Sequence, residues 1–169
     1  ILKEQNTIGA KSANWLRDVA KVINRRFDTD GRDRVLVELA QQGCDRPVWN
    51  PILLWHMTRD EFLLRDFIIN CLYQHYSSGT YRLHTDDVAR YIESIRNQPG
   101  VEWFSDWTET TTDRVASGLL RIASDFDLLT GTVHKEFSSY HLTDESFIYI
   151  LHAMAEHQPN SPRRIIDSE

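Results

Sequence analysis

Arg17, Lys21 and Arg25 stand four residues apart, with Arg26 beside them, in NTIGAKSANWLRDVAKVINRRF at residues 6–27. On a helix this spacing puts the first three cations on one face. Such a row can track a phosphate backbone, and it can equally be a solvated surface. A second candidate lies in WTETTTDRVASGLLRIASDFDLLTGTV at residues 107–133. There Thr110, Thr111, Arg114 and Arg121 supply the side-chain types that contact bases and phosphates: arginine takes the two acceptors of guanine, and threonine either partner. Glu109, Asp113, Asp125 and Asp127 in the same run repel phosphate. Lys135 and His134 follow the turn at Gly131, and Arg163 with Arg164 lies in the tail; each is a further phosphate contact or a solvent-facing residue. Trp103 and Trp107 flank an acidic turn and are candidates for contact with a protein partner.

Other chemistries find no set of residues. Cys71 and His75 are four apart and can face each other on a helix, but a metal site needs more ligands, and a core cysteine beneath a boundary histidine is the simpler reading. There is no GxSxG, GxxxxGK[ST] or HExxH. Asp86 with Asp87 and Asp144 with Glu145 sit where the first turn of a helix favours acids. The expectation is a protein without catalysis, cofactor, metal or small-molecule substrate.

The elements that must position these residues are mostly helices. Trp15, Leu16, Val19, Val22, Ile23 and Phe27 recur at three and four over residues 7–27. A second helix is expected over 29–42, stopped by Gly43. Asn50 followed by Pro51 reads as cap and first turn of a third, and Asp60 as the cap of a fourth, EFLLRDFIINCLYQHY, ended by SSG at 77–79. A short extended piece at 81–84 leads to a helix capped by Thr85, and NQPG at 97–100 is a turn.

For the threonine-rich helix the cap is expected at Thr110, Thr111 or Thr112, the core stripe at Val115, Leu119, Ile122 and Phe126, and the outer face at Thr112, Arg114, Ser117, Gly118 and Arg121. Leu128, Leu129 and FSSYHL at 137–142 make a hairpin around Gly131, and Thr143 with Ser146 caps a last helix. Trp15, Trp49 and Trp55 are expected in the core. From residue 60 onward the order is that of a winged helix-turn-helix, whose third helix enters the major groove while the ribbon touches the backbone; winged helices also serve as protein-binding modules. The expected fold is mainly α: a helical domain at 1–79 with a basic first helix, a winged-helix-like domain with a small β-ribbon at 80–157, and a tail at 158–169.

The chain has 169 residues, 41% of them hydrophobic, enough to fill a core without staples. Two cysteines make no disulfide framework, which points to a reducing compartment, the cytoplasm. No apolar run approaches the ~18 residues of a membrane span. The net charge is −6, unevenly spread: residues 1–80 hold 11 Lys+Arg against 10 Asp+Glu, and residues 81–169 hold 8 against 15. Basic charge concentrates at the N-terminal end, with 6 against 2 in residues 1–27.

The N-terminal basic helix, LLRDFIINCLYQHYSSG, the run from WTETTT to DFDLLTG and FIYIL at 147–151 together resemble the BrxA proteins, small accessory proteins of BREX (bacteriophage exclusion) defence loci. The resemblance covers nearly the whole chain. It implies a NusB-like helical portion, a winged-helix-like portion, and binding of double-stranded DNA beside the larger BREX proteins. By matching position it puts Thr110, Thr111, Arg114 and Arg121 among the DNA-contacting residues. The family pattern has glycine before the two leucines, where this chain has Asp127. The other readings of the resemblance are an adaptor that docks BREX proteins through the acidic half containing Trp103 and Trp107, and, from the NusB likeness alone, RNA binding.

Overall fold

The structure is a computed structural model, which describes residues 8–26, 33–96 and 106–157. These hold seven helices and one three-stranded antiparallel sheet, so the chain is mainly helical. No helix among the described residues is long and apolar enough to cross a membrane. The chain divides into two compact units, residues 1–49 and 50–169. The boundary expected near residue 79 lies inside the second of these.

In the first unit, helix α1 (Ala13–Arg26) starts later than residue 7 because Ser12 caps it: the Ser12 hydroxyl accepts from the Trp15 N–H at 3.1 Å. Its apolar stripe is only partly used. Leu16 is buried, whereas Trp15, expected in the core, is 51% exposed. Helix α2 (Arg34–Gln42) buries Leu36 and stops at Gly43, whose φ of 80° makes the left-handed turn that glycine adopts without strain.

Helix α3 (Arg46–Asp60) corrects the expected start at Asn50. The chain is already helical at Arg46, with the Val48 and Trp49 N–H groups donating to the Asp45 carbonyl at 3.0 and 2.8 Å. Pro51 therefore sits inside the helix. The bond it forgoes is to the carbonyl of Pro47, an exposed first-turn residue, where water can substitute. Asn50 is freed from capping, and its side chain reaches elsewhere in the second unit.

The second unit is built on one core. Helix α4 spans residues 62–77 and changes pitch within it: Phe67–Leu72 is π-helical, with the Tyr73 N–H bonded to the Ile68 carbonyl. The wider turn brings Cys71 and Leu72 together to the side Phe67 faces, and all three are buried. They pack in one cluster with Leu83, with Val88 and Ile92 of α5 (Thr85–Arg96), and with Ala116, Leu119, Leu120 and Ala123 of α6 (Glu109–Asp125). Helix α5 begins with Asp87 reaching back to accept from the His84 N–H at 2.8 Å, so the cap belongs to this reciprocal contact rather than to Thr85. The last helix, α7 (Asp144–His157), is capped as expected, Thr143 Oγ1 accepting from the Ser146 N–H at 3.2 Å.

The sheet has the order β1-β3-β2. Strand β1 (Arg82–Leu83) pairs with β3 (Lys135–Phe137), setting Arg82 opposite Glu136, and β2 (Leu129–Thr130) pairs with β3 on its other side. The returning strand is KEF rather than FSSYHL. The turn after Gly131 is short enough that pairing is complete by Phe137, and residues 138–142 are irregular.

Candidate nucleic-acid interface

Helix α6 begins at a threonine other than those expected. Thr108, in extended conformation, is the cap: its hydroxyl accepts from the Thr111 N–H at 3.3 Å and lies 3.0 Å from the Thr111 hydroxyl. Starting the helix there places Glu109 in the first turn, where an acid complements the helix dipole. It also rotates Thr112 inward. Thr112 is 3% exposed, donates to the Thr108 carbonyl at 3.3 Å, and leads the buried stripe through Ala116, Leu119, Leu120 and Ala123. Thr112 thus leaves the outer face, and Val115 and Ile122 are only partly buried.

The outer face that remains carries Thr110, Arg114, Ser117 and Arg121 at spacings of four, three and four, all exposed. Asp113 and Asp125 share it. Arg121 lies 3.8 Å from Asp125, a solvent-exposed pair that gives little stability and yields readily to another anion. Gly118 borders this face, and a Cβ there would meet nothing within 4 Å. Thr111 is half-buried with its hydroxyl engaged in the cap.

The helix ends in a turn that brings the ribbon back beside it. The Asp127 N–H donates to the Ser124 carbonyl at 3.1 Å and the Leu128 N–H to Ala123 at 2.9 Å, a Schellman closure with Asp127 at the left-handed position, φ 60°. Glycine would take this conformation freely. Here the strain is held by neighbours: Asn50 Nδ2 donates to Asp127 Oδ2 at 3.0 Å, and the Ser138 hydroxyl donates to the Asp127 carbonyl. The charge that the sequence places near the interface is therefore tied down by α3.

At the ribbon tip Gly131 has φ 91°, and a Cβ would collide with the His134 carbonyl oxygen. Lys135 is half-buried at the start of β3 and its ammonium donates to the Gly131 carbonyl at 2.7 Å, closing the turn. Across the sheet Arg82 Nε donates to Glu136 at 2.8 Å and Tyr81 donates to the same carboxylate at 3.2 Å. The Arg82 hydrogen bond holds the Glu136 carboxyl below its ordinary range, with Tyr81 assisting. The His84 and His134 rings meet edge to face, centroids 5.5 Å apart. Tyr81, Arg82 and His84 were not among the expected contacts; their contacts with Glu136 and His134 span fifty or more residues of sequence, and no local spacing signals them.

On α1, Arg17 and Lys21 are exposed. Arg17 bonds Asn14, and Lys21 lies 3.6 Å from Asp18, both partners mostly solvated. The side chains of Arg25 and Arg26 lie outside the described residues, as do Trp103, Arg163 and Arg164.

The family model for BrxA matches residues 1–153, from before α1 to within the last turns of α7. The chain belongs to the BrxA family. It is thus a BREX-associated protein, of an accessory family of bacteriophage-defence systems. No curated protein and no solved structure matches the chain.

Two further sequence candidates lie in the second unit of this BrxA-family chain. Trp107 is half-buried and packs, with Leu63 and Tyr91, against Ile95. Cys71 and His75 do meet, Sγ 3.9 Å from Nδ1, but that ring nitrogen also donates to the Cys71 carbonyl at 2.8 Å. Burial pushes the Cys71 thiol up to about 12, with Asp87 and Asp66 adding to it, the opposite of an activated thiolate. Among the described residues no group of three or more His, Cys, Asp or Glu is placed to hold a metal ion.

Proposed function

We propose that this BrxA-family protein binds double-stranded DNA without catalysis, mainly through phosphates, beside other BREX proteins in the cytoplasm. The observation that carries the reading is the exposed outer face of α6, Thr110, Arg114, Ser117 and Arg121, on the helix that leads directly into the β2–β3 ribbon. Helix α4, β1, α5, α6 and the ribbon follow the order of a winged helix-turn-helix, and β1 completes the sheet by pairing with β3. We take residues 80–157, with α4 of the preceding segment packed against them, as the winged-helix-like part, residues 1–79 as the helical, NusB-like part and 158–169 as the tail. Arg17, Lys21, Arg25 and Arg26 supply a second basic row on α1. Arg114 and Arg121 are the groove-side contacts, and Thr110 is the hydroxyl contact at the helix start. Thr111 takes part through the cap it shares with Thr108, and Lys135 by shaping the ribbon tip. Trp103 and Trp107 remain the residues assigned to a protein partner.

The test is fluorescence anisotropy of a labelled duplex against a matching RNA, titrated over several salt concentrations. DNA is expected to bind in preference, with affinity falling steeply with salt because each neutralised phosphate releases counterions. Absence of binding at low salt, or a preference for RNA, would overturn the reading.

A further inference from the structure

The second unit has an exposed apolar surface on its last helix. Helix α7 is pinned to α3 by the Tyr149 hydroxyl, 2.9 Å from His56 Nε2, with Ser146 fully buried beneath it. Its opposite side is apolar and covered by none of the described residues: Phe147 and Ile148 are each 54% exposed and Leu151 is 42% exposed. Phe147, Leu151 and Met154 follow at four and three, so they form one line along the helix. That line runs into a cavity of about 360 Å³ between α3, α4 and α7, which Met154 lines together with Trp55, Ile68 and Ile69.

Two guanidinium groups stand at this cavity, Arg59 and Arg65. Arg59 is 16% exposed and held in place by Asp60 at 2.8 Å, with His56 Nδ1 at 3.4 Å. Arg65 donates to the Arg59 carbonyl at 3.4 Å and faces no carboxylate among the described residues. Arg59 is balanced by Asp60, so it is Arg65 that makes the cavity end of the apolar line cationic. Its other end, at the start of α7, carries the exposed acids Asp144 and Glu145.

We infer that this surface docks an amphipathic helix of a partner protein, whose large apolar anchor enters the cavity with carboxylates beside it. An apolar line at helical spacing suits a second helix laid along it. A half-open apolar cavity flanked by arginine is a setting in which one anchor residue can dominate affinity. The charge gradient fixes the direction of the partner: its acidic end lies over Arg59 and Arg65, its basic end over Asp144 and Glu145. DNA is unsuited to this surface, which is apolar along its length and acidic at one end.

The test uses the full chain and a synthetic helical peptide with tryptophan and leucine anchors at helical spacing, glutamates beside the tryptophan and lysines at the far end. A second peptide exchanges the two charge types. The first peptide is expected to bind, and Leu151→Asp and Arg65→Glu are each expected to weaken it about tenfold. Arg65→Glu is expected to improve binding of the exchanged peptide, while duplex DNA affinity is unchanged. Both substituted residues are surface positions, and equal thermal melting of the variants shows that the fold persists. Failure of the first peptide to bind, equal binding of the two peptides, or indifference to both substitutions overturns the inference. So does a dimer in sedimentation velocity that Leu151→Asp dissolves, which would make a second copy of this chain the occupant, or binding of the wild-type chain to lipid vesicles through Leu151.

Discussion

Asp127 shows how a single residue can hold a conformation its type disfavours. Its left-handed backbone costs on the order of 1 kcal/mol in a residue with a Cβ, and the Asn50 amide, Ser138 hydroxyl and Schellman bonds hold it there. Two opposing effects then decide what Asp127→Gly does: the strain is relieved, and the Asn50 bond is lost. Each is about 1 kcal/mol, so this variant should match wild type in urea unfolding to within that amount. Asn50→Ala should cost about 1 kcal/mol in the wild-type background and nearly nothing once Asp127 is glycine. Equal cost in both backgrounds would show that the Asn50–Asp127 contact contributes no coupling.

At the scale of the element, α6 carries a weak point. Gly118 lies in the middle of a 17-residue helix, at an ordinary helical φ, with open space where a Cβ would stand. Gly118→Ala should therefore raise stability by about 0.5–1 kcal/mol, read as a higher melting temperature. A fall would mean that the space beside Gly118 is not open in solution. The helices themselves were legible in the sequence because their apolar residues recur at three and four, and Leu119 and Phe126 were read correctly into the buried side. Their ends were less legible. Six threonine or acidic candidates stand between Trp107 and Val115, and the choice of Thr108 depends on backbone geometry that no composition encodes. Pro51 looked like a helix start because proline favours the first turn, but Asp45 had already supplied one. The ribbon was found and its second strand misplaced: FSSYHL alternates as well as KEF does, and what selects KEF is its pairing with Arg82 and Leu83, far away in sequence. Of the candidate interface residues, the outer-face placement of Arg114, Ser117 and Arg121 followed from helical spacing alone. The capping role of Thr111 and the turn-closing bond of Lys135 to the Gly131 carbonyl did not.

For the whole molecule the deciding quantity is where the charge sits. Residues 1–49 hold 9 Lys+Arg against 7 Asp+Glu, and residues 50–169 hold 10 against 18. A phosphate partner is therefore attracted by local rows of cations and repelled by the chain's mean field, which makes binding strongly dependent on ionic strength. Replacing Arg17 and Lys21 together by glutamate should weaken duplex binding and flatten its logarithmic salt slope by about two, roughly 0.9 for each phosphate contact removed. The Arg114→Glu, Arg121→Glu pair should do the same if α6 lies against the duplex. Both pairs are exposed, so circular dichroism should be unchanged. A pair whose reversal leaves the slope unaltered is a solvated surface.

The π-helical stretch of α4 can be viewed as a one-residue insertion that the fold absorbed by local widening instead of passing it down the chain. A codon gained or lost in α4 without such widening would swing the final turn, Tyr73–Ser77, by about 100°. Tyr76 would leave the ring of Phe137, now 5.6 Å away, and the sheet would lose an aromatic support supplied from outside it. In genetic terms the ribbon's footing depends on reading-frame-preserving length at a place more than fifty residues upstream of it.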